Sequence, residues 1–144
     1  MLSDFVSKVL EKTGPGILEE KDSFGWTPLH YATYIGNRDV VKLFLETNLS
    51  LAYTKNNEGM SALHIAAQRG RCIPVIETLI QKCPDVSELL DDKDQTALHV
   101  AVANGNGGTF MKFLGMLPFN DLLNEPNKDG NTFLHVAALQ GYYW

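Results

Sequence analysis

Two cysteines, Cys72 and Cys83, are all that the 144 residues contain. That is too few for a disulfide framework or a cysteine zinc set, so a reducing compartment is the default expectation. The pair stands eleven residues apart, with no CxxC redox motif, and reads as two free, partly buried thiols. Basic charge is also scarce: 12 Lys and Arg face 17 Asp and Glu, for a net charge of −5. The basic residues are scattered, which argues against a nucleic-acid surface. No run approaches the ~18 apolar residues that a spanning helix needs, and Met1 to Lys12 lacks the flank and apolar core of a signal peptide. The segment is therefore expected to make no direct membrane contact. "GNGG" at Gly105 to Gly108 lacks the GxxxxGK[ST] phosphate-loop pattern and follows no strand, so an inter-helix turn accounts for it. Asn48-Leu49-Ser50 matches the N-glycosylation pattern, which carries little meaning in a cytosolic domain.

What the chain does have is periodicity. Each of its four histidines follows a leucine: His30, His64, His99 and His135, in steps of 34, 35 and 36 residues. Three residues before each stands a hydroxyl (Thr27, Ser61, Thr96, Thr132). Six after stands a glycine (Gly36, Gly70, Gly105, Gly141). Five before stands Gly25, Gly59 or Gly130, with Asp94 breaking the pattern, and eight before stands Asp22, Asn56, Asp91 or Asn127.

One copy is readable in physical terms. Asp/Asn-x-x-Gly is turn chemistry, with the glycine free to take positive φ. The hydroxyl then occupies a helix N-cap, and Pro28 follows at the first helical position, where its missing N–H is harmless. A short first helix, "LHYATYIG" in the first copy, carries small residues (Ala32, Ala66, Ala67, Ala101, Ala137 and Ala138 across the copies) that allow close helix packing. Its terminal glycine stops it. A second helix, "RDVVKLFLETN", places Val40, Val41, Phe44 and Leu45 on one face.

This unit resembles the ankyrin repeat, whose length and T-P-L-H-x-A signature match over nearly the whole chain. The resemblance implies an all-α ankyrin-repeat solenoid with β-hairpin-like connecting turns, forming one array over residues 1–144. Full copies are expected at 22–55, 56–90 and 91–126, with partial copies at 1–21 and 127–144. "SDFVSKVLEK" aligns with "RDVVKLFLET" and reads as the second helix of a repeat whose first half is missing. The C-terminus stops after a first helix, so both ends read as cut, with residues 127–144 expected to exchange amide hydrogen fastest.

The loops depart from the ankyrin consensus. "TNLSLAYTKNN", "KCPDVSELLDD" and "LPFNDLLNEPN" are longer, "RCIP" puts Pro74 at the front of a second helix, and "NGNGGTF" loosens the matching turn of the third copy. These features look like the plant ankyrin proteins of the accelerated-cell-death and increased-salt-tolerance type, in which an array precedes a C-terminal membrane domain. That resemblance implies the cytosolic ankyrin region of a plant stress or defence signalling protein, at the cytoplasmic face of the plasma membrane. A soluble adaptor, or the regulatory region of an enzyme or channel whose working domain lies elsewhere, are the alternatives. Four apolar runs of ~20 residues beyond Trp144 would mark the membrane type.

Equivalent histidines on stacked repeats are ~8–10 Å apart, whereas a metal needs ligands at ~2.0–2.1 Å from one centre, so no metal or other cofactor is expected. Ser61, His64 and Asn56 or Glu58 imitate a hydrolytic triad, but the arrangement recurs in every copy and a single active site has no reason to recur. The chain is expected not to be an enzyme and to have no small-molecule substrate. In ankyrin repeats the histidine bonds the neighbouring hydroxyl and the turn backbone. Thr27, His30, Ser61, His64, Thr96, His99, Thr132 and His135 are therefore assigned structural roles.

The expected partners are other proteins. Ankyrin arrays usually meet them through the turn tips and the exposed edge of the first helix. In the first copy those positions hold Phe24, Trp26, Tyr34 and Ile35, with Ser23 beside them. The second gives Glu58, Met60, Gln68 and Arg69, with Asn57. The third gives Lys93 and Gln95, with Asp92, Ala103 and Asn104. The fourth gives Lys128, Asp129, Asn131, Leu139 and Gln140. The face grades from aromatic to mixed polar, and aromatics and Arg are enriched in binding hot spots. Two features pull the other way: a missing preceding repeat would cover Phe24 and Tyr34, and Trp is common in ankyrin repeats at the site that Trp26 occupies. Asp85, Glu88, Asp91, Asp92 and Asp94, offset by Lys93, form an acidic patch that would attract a basic partner or serve as a solvated loop.

Overall fold

A computed structural model describes residues 2–70, 72–105, 107–117 and 124–140. Among these residues the regular structure is helical, without strands. The α-helices are α1 (Leu2–Thr13), α2 (Pro28–Ile35), α3 (Arg38–Thr47), α4 (Ala62–Arg69), α5 (Ile73–Lys82), α6 (Ala97–Ala103), α7 (Gly107–Met116) and α8 (Phe133–Gln140). They form two rows. Helices α2, α4, α6 and α8 pack in sequence along one row, and α1, α3, α5 and α7 along the other. Each short helix also packs on the longer helix that follows it, as in α2–α3, α4–α5 and α6–α7. The result is a two-layer α-solenoid.

The apolar pattern explains the layering. Val40, Val41, Phe44 and Leu45 of α3 are all buried, as are Val75, Ile76, Leu79 and Ile80 of α5. In the inner row Ala66, Ala67 and Ala101 are fully buried; their small side chains let successive short helices approach closely. Ala138, at the position equivalent to Ala67 and Val102 by repeat spacing, is exposed. Each large buried side chain of this kind contributes roughly 1.5–3 kcal/mol of transfer free energy.

The long inter-repeat segments are more ordered than loops. Single-turn 3-10 helices run over Pro15–Glu19, Leu49–Tyr53 and Pro84–Glu88, burying Leu18, Leu51 with Ala52, and Val86 with Ser87. Asn48 starts the middle one: its Oδ1 accepts from the Ser50 N–H at 3.1 Å and its Nδ2 donates to Glu19 at 3.0 Å. Neither thiol is in a disulfide, and both are buried rather than partly buried. Cys72 precedes α5, in which Pro74 occupies the first turn. Gly107 and Gly108 open α7 rather than lying in the turn before it. Asn106, residues 118–123 and Gly141 lie outside the described residues.

Candidate functional site

The four histidines form a lattice of fasteners. His30 Nδ1 accepts the Thr27 backbone N–H at 3.1 Å and lies 2.9 Å from the Thr27 hydroxyl. The Ser61–His64, Thr96–His99 and Thr132–His135 pairs repeat this geometry. The hydroxyl also accepts the N–H of the third helical residue, and the histidine ring returns to the cap N–H. The pair is thus a capping box in which histidine replaces the usual Glu or Gln. On the far side of the ring, Nε2 reaches the next repeat: His30 to the Met60 carbonyl at 3.0 Å, His64 to Gln95 at 2.8 Å, His99 to Asn131 at 3.2 Å. A carbonyl only accepts, so Nε2 carries the proton and Nδ1 is the acceptor. The ring is neutral, and burial pushes His30, His64 and His99 below the usual histidine range. Among the described residues no group of three or more His, Cys, Asp or Glu side chains is placed to hold a metal ion.

The carbonyl that receives each histidine also closes a turn. Met60, Gln95 and Asn131 carbonyls accept the N–H groups of Asn56, Asp91 and Asn127 at 2.8–3.0 Å. The side-chain Oδ1 of Asp22, Asn56, Asp91 and Asn127 each takes two further turn N–H groups. Successive turns are tied by one backbone bond each: Asn57 N–H to Phe24, Asp92 to Glu58, Lys128 to Lys93, at 3.0–3.1 Å. The approach is tight. A Cβ on Gly59 would come within 2.7 Å of the Asp92 nitrogen, and one on Gly25 as close to the Asn57 nitrogen. Both glycines also have φ near +75° (77° and 74°), and Asp94 takes the same left-handed conformation at φ 55°. A lysine ladder, absent from the sequence reading, runs alongside: Lys21 Nζ donates to the Lys55 carbonyl at 3.0 Å, and Lys55 Nζ to Leu90 at 2.6 Å.

At the first repeat the exposed face becomes a cleft of about 480 Å³, lined by Phe24, Trp26, Tyr31, Tyr34, Ile35 and Glu58. Tyr31, Tyr34 and Ile35 are i, i+3 and i+4 on α2 and so share a face. Trp26, half-buried, is the hub: its ring centroid is 4.9 Å from Tyr31 and 5.8 Å from Tyr34. Phe24 and Ile35 are the most exposed, at 68% and 73%. Arg69 reaches across from α4, its guanidinium 4.3 Å from the Tyr34 ring centroid and its Nε–H donating to the Tyr34 carbonyl at 3.2 Å. The Tyr31 hydroxyl donates to the Asp22 carboxylate. That bond, ahead of the turn N–H groups, holds the Asp22 carboxyl below its ordinary range, and it raises Tyr31. Sequence reasoning missed Tyr31, because its equivalents Ile65 and Val100 are buried core residues; the i, i+3 relation to Tyr34 is the signal that finds it.

A second cleft, about 360 Å³, continues from the first across Glu58. Gln68, Lys93, Gln95, Asn104 and the half-buried Ala103 line it, with Asp91 and Asp92. Met60 lines this cleft too, but as its floor: its side chain is only 6% exposed and packs in the core, since an apolar chain at this position gains more from burial than from water. The fourth-copy positions Lys128, Asp129, Asn131, Leu139 and Gln140 line neither cleft. The acidic run is partly structural: Asp85 accepts the Tyr53 hydroxyl and Asp91 the turn amides.

Comparison with known proteins agrees with this architecture. The family described as ankyrin repeats (3 copies) matches residues 2–88. The chain is 34% identical over 129 residues to human transient receptor potential cation channel subfamily A member 1, covering 88% of this chain and 11% of the channel. It is 32% identical over 117 residues to the AVO2 subunit of target of rapamycin complex 2 from Saccharomyces cerevisiae, covering 80% of this chain and 27% of AVO2. With an ankyrin repeat-containing protein of Arabidopsis thaliana it shares 37% identity over 82 residues, covering 56% of this chain and 16% of that protein. The chain spans only about a tenth of the length of the first two curated relatives, 11% and 9%. The ankyrin repeat is a non-catalytic, protein-interaction architecture, and by its matched profile, its histidine lattice and its paired helices this chain belongs to the ankyrin repeat family.

Proposed function

We propose that the chain recognises a partner protein through the exposed face that carries the two clefts, with the first-repeat cleft as the principal contact. The observation that carries this is the aromatic cluster around one cleft, in which Phe24, Tyr31 and Tyr34 are exposed about the half-buried Trp26. Aromatic side chains supply large contact area at low entropic cost and dominate binding hot spots. A solenoid presents them preformed, so little ordering opposes binding. The structural set Thr27, His30, Ser61, His64, Thr96, His99, Thr132 and His135 holds the turns in register beneath that face.

The array is the cytosolic ankyrin region of a signalling protein, at the cytoplasmic face of a plasma-membrane parent of the plant stress and defence type. The Arabidopsis relative supports the plant assignment. A cation channel among the relatives supports a membrane parent or, as a second reading, a channel-regulating array. AVO2, a subunit of a complex, supports a soluble adaptor instead. No helix among the described residues is long and apolar enough to cross a membrane.

Affinity capture with the wild-type chain and a Phe24→Ser/Tyr34→Ala double variant tests the cleft. Both side chains are exposed, so folding is expected to be kept, as circular dichroism would verify. Loss of specific captured proteins by the folded variant is the expected result; an unchanged captured set overturns the assignment.

A further inference from the structure

We infer that the two adjoining clefts take an extended peptide segment in which an apolar side chain and a basic side chain stand three residues apart; this rests on the reading of their face as a recognition surface. Three observations carry it. The aromatic cleft and the polar cleft are adjacent and share one side chain, Glu58. The first is apolar apart from that carboxylate, whereas the second adds Asp91 and Asp92 against Lys93 alone. Glu58 is exposed, and its carboxylate takes no hydrogen bond or ion pair among the described residues. The Asp91 carboxylate, by contrast, is engaged by turn amides. Glu58 is thus the carboxylate at the junction that is open to an incoming cation.

One ring of the first cleft engages a cation. Tyr34 already holds the Arg69 guanidinium over its face at 4.3 Å, the geometry in which a cation meets the negative face of an aromatic ring. Arg69 itself lines neither cleft, so the cleft walls remain for a partner's side chains. The spacing follows from the scaffold. Repeats stack at about 8–10 Å, and an extended peptide advances about 3.3 Å per residue. Side chains entering neighbouring clefts are therefore about three residues apart. The apolar one fills the cleft of Trp26 and Tyr34; the basic one reaches Glu58 and the carboxylates beyond. An acidic segment is excluded by the same charges.

The test is selection of a displayed library of random decapeptides on the 144-residue chain, followed by fluorescence anisotropy with the enriched peptides. Enriched sequences are expected to carry Lys or Arg three positions from an aliphatic or aromatic residue. Their affinity is expected to fall about fivefold for Glu58→Gln, which removes one exposed charge pair, further for Glu58→Lys, and with added salt. Glu58 is a surface side chain, so these variants fold, and thermal melts check that they do. Peptides that are enriched but lack a basic residue, or that bind the Glu58 variants as well as wild type, overturn this inference. If such binding is still abolished by Phe24→Ser/Tyr34→Ala, the aromatic recognition site itself survives. Enrichment of acidic peptides, or of none, also overturns the inference.

Discussion

His64 and Gln95 are joined across a repeat boundary by a 2.8 Å hydrogen bond from the imidazole Nε2 to a backbone carbonyl, while the other ring nitrogen faces Ser61. One neutral ring therefore caps its own helix and fixes the next turn. His64→Ala would leave the Ser61 hydroxyl and the Gln95 carbonyl short of a partner and open a cavity in a fully buried site. The expected loss is about 2–4 kcal/mol, read from urea unfolding. His135→Ala serves as the internal control. His135 is exposed, and among the described residues it bonds Thr132 alone, so its loss should stay below about 1 kcal/mol. Equal losses at both sites would refute the lattice.

The same bonds predict acid sensitivity. Burial lowers the folded-state pKa of His30, His64 and His99, so near pH 6 the unfolded chain binds more protons than the folded one. The sign follows: stability is fully present above the unfolded histidine value, about 6.5, and is lost as pH falls through it. Each histidine neutral when folded and charged when unfolded steepens the loss by up to about 1.4 kcal/mol per pH unit. Unfolding midpoints measured from pH 7.5 down to pH 5 should therefore decline. His64→Gln should be less stable at neutral pH but show a shallower decline. A flat profile in wild type would reject the neutral-ring assignment.

Turn glycines give a third prediction, with opposite signs at two equivalent positions. Gly59→Ala forces a Cβ into left-handed backbone and against the Asp92 amide, whose N–H is committed to the Glu58 carbonyl at 3.1 Å. A loss of about 1–3 kcal/mol is expected. Asp94 occupies the same conformation without being glycine, so Asp94→Gly relieves strain and should gain about 0.5–1 kcal/mol. Thermal melts of the two variants decide it, and a destabilised Asp94→Gly would show that the aspartate side chain contributes something the conformation alone does not reveal.

How much of this was legible before the fold is clearest at individual residues. Thr27, His30 and Asp22 recur with their spacing intact, and their chemistry is local, so capping and turn geometry follow from sequence alone. Val40, Val41, Phe44 and Leu45 announce a buried face by period. The 3-10 helix of Leu49–Tyr53 does not, because one turn is too short for periodicity to register. Nor does the lysine ladder, since the acceptors of Lys21 and Lys55 are carbonyls and carry no sequence signal. Met60 lines the second cleft but lies mostly buried, because a consensus position specifies where a side chain starts and leaves open where a long, flexible one goes. The cleft was half visible: Phe24, Trp26, Tyr34 and Ile35 stand out as non-recurring aromatic and apolar residues. Tyr31, though, joins them only because α2 turns it onto Trp26.

Thr33 supplies the last prediction. It lies in the interior of α2, is fully buried, and its hydroxyl oxygen has no hydrogen-bond partner among the described residues. Its backbone carbonyl is approached by the Cys72 thiol at 3.5 Å, so the backbone is engaged while the side-chain hydroxyl is not. Repeat spacing puts Ala67 and Val102, both apolar and buried, at the equivalent positions. A buried hydroxyl without a partner costs about 1–3 kcal/mol, and valine has nearly the same shape with a methyl in place of the hydroxyl. Thr33→Val should therefore raise stability by about 1 kcal/mol, measured as a higher urea midpoint at unchanged denaturant slope. Thr33→Ala removes the same hydroxyl but also a methyl, leaving a small void, and should be the less stable of the two. A destabilised Thr33→Val would mean that the hydroxyl is satisfied in solution, and the natural candidate for its partner would be a buried water.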